Sequence, residues 1–230
     1  MAEKKEVLHV YFMPGMAANP SIFEHIQLPQ EQFKVHYLKW IIPEKGESLK
    51  EYAIRMNGFI KHKNPVLIGV SFGGILVQEM SKYIDVYRLI IISSVKCKAE
   101  LPGTMKFAAK TGAFKLLPTG LLNFVDHFEK VAFGTYLKKR AKLYRQYLSV
   151  RDKRYINWAI KNTVLWDCEE VDKKLIHIHG DKDEIFPAKN IQDYIKVEGG
   201  THVMVINRFR WFNEHLPQII LKGKMEEINH

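Results

Sequence analysis

At 230 residues, 47% of them hydrophobic and 12% aromatic, the chain can bury a full core and fits one domain with room for an insertion. No apolar run approaches bilayer-spanning length, and the acids flanking the first apolar stretch (Ala2-Glu-Lys-Lys-Glu6) exclude a secretory signal, so Cys97 and Cys168, which lack metal-type spacing, are expected as reduced thiols in a cytoplasmic protein. The formal charge of +10 sits in one place: Leu101–Trp166 holds 13 Lys or Arg against three acids, and the rest is balanced at 22 basic and 22 acidic residues.

In chain order, Glu6–Met13 is rich in β-branched and aromatic residues and predicts a strand ending at Pro14-Gly15. Asn19-Pro20-Ser21 carries helix-start chemistry ahead of Ile22–Ile26. Gln32–Trp40 alternates Phe33, Val35 and Tyr37 as a strand, and Ser48-Leu-Lys-Glu51 has the spacing of a capping box opening the next helix. Pro65–Val70 is a short buried strand. It runs into Gly69-Val-Ser-Phe-Gly-Gly74 and then a helix from Ile75 to about Ile84. Tyr87–Ser94 is another nearly continuous apolar strand.

After Glu100 the alternation stops. Through Trp166 no strand-like run appears; Lys138–Leu148 and Tyr155–Ile160 are the clearest helices. Lys174–His179 and Asp193–Val197 then resume the strands, and a long helix is expected from about Met204 to Leu221. Strands that alternate with helices and are apolar on both faces predict an α/β fold with a parallel sheet covered on both sides. The expected organisation is a single domain, 1–230, with a core of 1–100 and 166–230 and a helical, basic cap over 101–165.

Strand, tight turn and helix around Ser71 form the pattern that lifts a serine hydroxyl clear of a sheet. A serine is a poor nucleophile until a base takes its proton, and the base works best when a carboxylate holds its tautomer. Two later stretches offer both partners. His179-Gly-Asp-Lys-Asp-Glu-Ile-Phe-Pro187 places Asp181, Asp183 and Glu184 in the loop after one strand, and Glu198-Gly-Gly-Thr-His-Val-Met204 places His202 after the next. In a parallel sheet those strand ends share the edge where Ser71 sits and where open α/β sheets bind ligands.

With Ser71, Asp183 and His202 in that order, the chain resembles the α/β-hydrolase superfamily, and within it a small bacterial-type esterase with a short helical cap. The resemblance covers the core on both sides of the insertion. It implies Ser71 as nucleophile, His202 as general base and acid, and Asp183 as the residue orienting it, with Asp181 left to the turn as an Asx residue. It further implies an oxyanion hole from the backbone N–H groups of Phe72 and Met16, although Pro14-Gly15 replaces the family's usual His-Gly. The chain begins at what the family counts as its third strand, so six strands are expected, with little or no helix between Asp183 and the last of them.

The function so implied is hydrolysis of a carboxylic ester, a small-molecule acyl substrate, through an acyl-enzyme, with no cofactor and no metal. Thioester or amide cleavage, acyl transfer, and a non-hydrolysing ligand sensor on the same fold remain alternatives. His179 competes with His202 but is placed for a structural hydrogen bond, and His177-Ile-His179 is a weak metal pair. His9, His25, His36, His62, His127, His215 and His230 receive no role. Phe107, Phe114, Phe124, Phe128, Phe133, Tyr136 and Trp158 are expected mainly to pack the cap onto the sheet. The basic cap carries no nucleic-acid fold signature, which argues against a nucleic-acid partner and leaves open weak contact with an anionic membrane or an acidic partner. Oligomeric state is not encoded in any pattern here.

Overall fold

The structure, a computed structural model, describes residues 7–112 and 146–225. Six strands form one sheet: β1 (Leu8–Met13), β2 (Phe33–Tyr37), β3 (Val66–Val70), β4 (Arg88–Ile92), β5 (Leu175–Gly180) and β6 (Ile195–Val197). Their spatial order is β2-β1-β3-β4-β5-β6, and every adjacent pair is parallel. β3 is buried along its whole length and β4 along all but its first residue, as expected of strands covered on both faces. β2 lies at the edge and buries only Phe33.

The chain leaves β1 for β2 on one side, then crosses back over β1 to reach β3. The direction of winding therefore reverses between β1 and β3, and the loops leaving their carboxyl ends face each other across a crevice. That crevice holds Met13–Ala17 on one side and Ser71 on the other.

α1 (Leu49–Asn57) starts at the expected capping box, in which the Glu51 N–H donates to Ser48 Oγ (3.2 Å) and the Ser48 N–H to Glu51 Oε2 (2.8 Å). α2 (Phe72–Ser81) buries every residue from Phe72 to Met80 and packs between α1 and strands β3 and β4. It begins directly after Ser71, three residues earlier than the apolar run suggests, because the two glycines at 73 and 74 belong to its first turn.

Between β4 and β5 lie the helices α3 (Gly103–Thr111) and α4 (Lys153–Val164), and α4 is capped by Asp152, which accepts N–H bonds from Arg154 and Tyr155. Residues 138–145 of the expected helix lie outside the described residues and its end at Gln146 and Tyr147 is helical; half of the basic segment, with Phe114, Phe124, Phe128, Phe133 and Tyr136, also lies outside them. Trp158 does pack: its ring lies 4.3 Å from Tyr52 and 5.8 Å from Phe72, and its Nε1 donates to the Glu47 carbonyl. Phe107 stands exposed.

Two expected helices differ. Ile22–Ile26 forms only a 3-10 turn over Pro20–Phe23, closed by the Asn19 side chain on the Ser21 N–H, because the run is too short to propagate a helix. The long last helix is two: α5 (Met204–Asn207) and α6 (Phe209–Lys222). Arg208 breaks it by leaving helical geometry (φ −116°, ψ 23°), while its guanidinium reaches back to the Gly199 carbonyl. Between Asp183 and β6 only a 3-10 turn at Ala188–Asn190 occurs, as the short spacing implies. Cys97 and Cys168 are both free thiols, and no described helix is long and apolar enough to cross a membrane.

Candidate active site

Ser71 sits between β3 and α2 at φ 54°, ψ −123°, a backbone conformation L-residues rarely adopt. Such a residue costs about 1–3 kcal/mol and persists only where its surroundings overdetermine it. Here they do. The Ser71 N–H donates to the Ile92 carbonyl (2.9 Å), and its own carbonyl accepts from the Gly74 N–H (2.8 Å) and from Ser94 Oγ (2.7 Å). A Cβ on Gly73 would lie 2.3 Å from the Pro14 carbonyl oxygen, so glycine there is what lets the loop after β1 close onto the start of α2.

His202 follows β6. Its Nε2 is 2.9 Å from Ser71 Oγ, and its Nδ1 is 3.0 and 2.9 Å from the two Asp183 carboxylate oxygens. An ionised carboxylate only accepts, so the Nδ1–H donates to Asp183 and the Nε2 lone pair faces the serine hydroxyl. All three side chains are nearly withdrawn from solvent, with 3 to 6% of their surface exposed. Burial alone would raise the Asp183 carboxyl. The charge and hydrogen bond of His202, with lesser help from His179 and the Phe186 N–H, outweigh it and hold the group below the usual carboxylate range.

Asp183 also makes the turn. Its Oδ1 accepts the N–H groups of Ile185 and Phe186, both at 2.9 Å. The expectation that Asp181 serves as the Asx residue is corrected: Asp183 does so, two and three residues ahead of its own position, while Asp181 Oδ1 is buried with no hydrogen-bond partner among the described residues. Glu184 is exposed.

His179 takes the structural place anticipated for it. Its Nε2–H donates to the Phe186 carbonyl (2.8 Å), which leaves Nδ1 to accept from His177 Nε2 (3.1 Å). Burial pushes His177 well below the ordinary histidine range and lowers His179 as well. Both therefore favour the neutral form when folded, and the unfolded chain binds more protons once the pH falls below about 6.5. Stability therefore rises with pH through that window. The melting temperature should fall between about pH 7.5 and about pH 5.5, and His177→Phe should flatten that fall; an unchanged slope would remove His177 from the account.

The loop after β1 is pinned by residues that no spacing rule marks. Trp40 Nε1 donates to the Gly15 carbonyl (2.8 Å), and the Tyr155 hydroxyl meets the Ala17 N–H (3.4 Å), with Ala17 at φ 63°. Among the described residues no backbone hydrogen bond takes the N–H of Met16 or Phe72; Met16 lines the Ser71 crevice, and Phe72 follows Ser71 directly as the first residue of α2. A narrow cavity of about 40 Å³ opens beside Ser71 and His202. Its walls are apolar: Met16, Ile22, Val70, Leu148, Val203 and Ile206.

No protein-family model and no curated protein matches the sequence. Solved structures do. An esterase from Exiguobacterium antarcticum superposes with a TM-score of 0.72 at 18% identity, over 95% of this chain and 93% of its own. A hydrolase from Oleispira antarctica gives 0.72 at 14% identity, over 94% and 92%, and a bromoperoxidase from Bacillus anthracis gives 0.66 at 16%, over 95% and 93%. With the six-stranded parallel sheet, these likenesses establish that the chain has the α/β-hydrolase fold.

Proposed function

We propose that the protein is a serine hydrolase that cleaves a carboxylic ester through an acyl-enzyme. The observation that carries this reading is the continuous hydrogen-bonded series Ser71 Oγ, His202 Nε2, His202 Nδ1, Asp183, with the serine held on a strained turn. Support also comes from neighbours described as esterases, on whose fold this series lies.

In the proposed reaction Ser71 Oγ attacks the acyl carbonyl as its proton passes to His202 Nε2. Negative charge builds on the carbonyl oxygen, where the Phe72 and Met16 N–H groups are the available donors. Asp183 stabilises the imidazolium without taking its proton. His202 then protonates the leaving alcohol, and a water activated by the same nitrogen releases the acid.

The apolar cavity sets the acyl group. A volume of about 40 Å³ between apolar walls suits a short acyl chain better than a long one. A panel of nitrophenyl esters of rising chain length tests this: kcat/KM should peak at acetate to butyrate and fall by octanoate. A rate that keeps climbing to long chains would contradict the assignment of this cavity to the acyl group. No turnover of any ester, with thioesters cleaved instead, would replace the substrate class and keep the mechanism.

A further inference from the structure

Far from Ser71, the fold brings together three histidines that are remote in sequence. His9 lies on β1 and His36 on β2, and His62 lies three residues ahead of Pro65, where the chain enters β3. The β1–β2 register pairs His9 with Lys34 and Tyr11 with His36, so alternate side chains on the two strands place His9, Tyr11 and His36 on one face. His62 comes down over that face. One ring nitrogen from each of the three lies within 4.8 Å of the others. His9 Nδ1 and His36 Nε2 are 2.9 Å apart, and the His9 and His62 rings stack at 3.4 Å between centroids, 8° from parallel.

We propose that His9, His36 and His62 bind a divalent first-row transition ion of the zinc type, tying edge strand β2 to β1 and to the segment entering β3. Nitrogens held at about 2.0–2.1 Å from a tetrahedral ion are roughly 3.3 Å apart, so closing the present separations and turning the stacked His9 and His62 rings so that both lone pairs meet the ion is a matter of χ rotation at side chains already gathered on one face. The ligands are all imidazoles, a set suited to zinc, nickel or copper and poor for magnesium or calcium, which seek oxygen. Three protein ligands leave a fourth position for water.

A second feature is the outer partner that histidine ligands commonly have. The buried Tyr11 hydroxyl is 2.6 Å from His62 Nδ1 and accepts the Lys61 N–H at 3.0 Å. An ion would select the tautomer in which His62 Nδ1–H donates to the Tyr11 hydroxyl and Nε2 carries the lone pair.

The location defines the role. Among the described strands β2 pairs with β1 alone, and His9 lies four residues before Met13, about 13 Å of strand away from the edge that carries Ser71. The ion would therefore fasten an edge strand and take no part in acyl chemistry, so this inference stands or falls independently of the proposed hydrolysis.

Chelator-stripped protein is titrated with Zn²⁺ by calorimetry and with Co²⁺ by visible absorption. The expected result is one ion per chain, tetrahedral cobalt absorption, and a melting temperature raised by Zn²⁺ but not by Mg²⁺. Loss of even an outer partner of a metal ligand costs about 10–100-fold in affinity. His36→Asn and His62→Asn should each weaken zinc by at least that much and abolish the thermal shift, Tyr11→Phe by about tenfold, while His215→Asn, away from the cluster, changes neither. His62 lies outside the strands, so His62→Asn carries the test if His36→Asn does not fold. Sub-stoichiometric binding, or tight binding that survives His62→Asn, would overturn the site.

Discussion

Ser71→Ala should lower ester turnover by roughly five to six orders of magnitude, and His202→Ala by about as much. The double variant should be no worse than either single one. The hydroxyl and the base act as one unit across the 2.9 Å contact, so removing either leaves nothing for the other to activate. The residual rate is what substrate binding and the oxyanion donors still supply. Ser71→Gly should be equally inactive yet more stable than the parent by about 1 kcal/mol, because glycine accepts φ 54° without the strain a Cβ imposes. Melting temperature and kcat thus move in opposite directions. A Ser71→Ala protein keeping more than about one per cent of parental kcat would contradict the role given to the hydroxyl.

The second large effect separates two aspartates two residues apart. Asp183→Asn should reduce kcat about ten-thousandfold, because an amide cannot hold His202 in the tautomer whose Nε2 faces Ser71. The amide oxygen can still accept the Ile185 and Phe186 N–H groups, so the turn and the fold should survive. Asp183→Ala adds a stability loss, since each buried N–H left without a partner costs about 1–3 kcal/mol. Asp181→Ala should stay within roughly tenfold of the parent rate, as its carboxylate makes no hydrogen bond to His202 among the described residues. Equal losses for Asn at 183 and Ala at 181 would move the acid to the wrong side of the turn.

The sheet was legible because β3 and β4 are short runs of Val, Leu and Ile that only a doubly covered strand tolerates. Ser71 was legible for a related reason: glycines crowd its turn, and serine is left alone at the apex. His202 and Asp183 follow strands, and strand ends in a parallel sheet converge. What the sequence did not reveal depends on contacts between elements. Asp183 supporting its own turn, Trp40 pinning Gly15, and Ser94 bonding the Ser71 carbonyl all arise from loops meeting in space. His9, His36 and His62 are separated by 27 and 26 residues, and only the strand register with the crossover back to β3 brings them together. The break at Arg208 is similar, since nothing in the apolar pattern of the last helix marks it.

The central claim is that Ser71 is an activated nucleophile. The most direct measurement treats the folded protein with a fluorophosphonate probe and maps the modified peptide. One adduct is expected, on Ser71, lost in His202→Ala and after unfolding. A folded protein that stays unmodified at Ser71, or one that takes the probe equally well without His202, would contradict it.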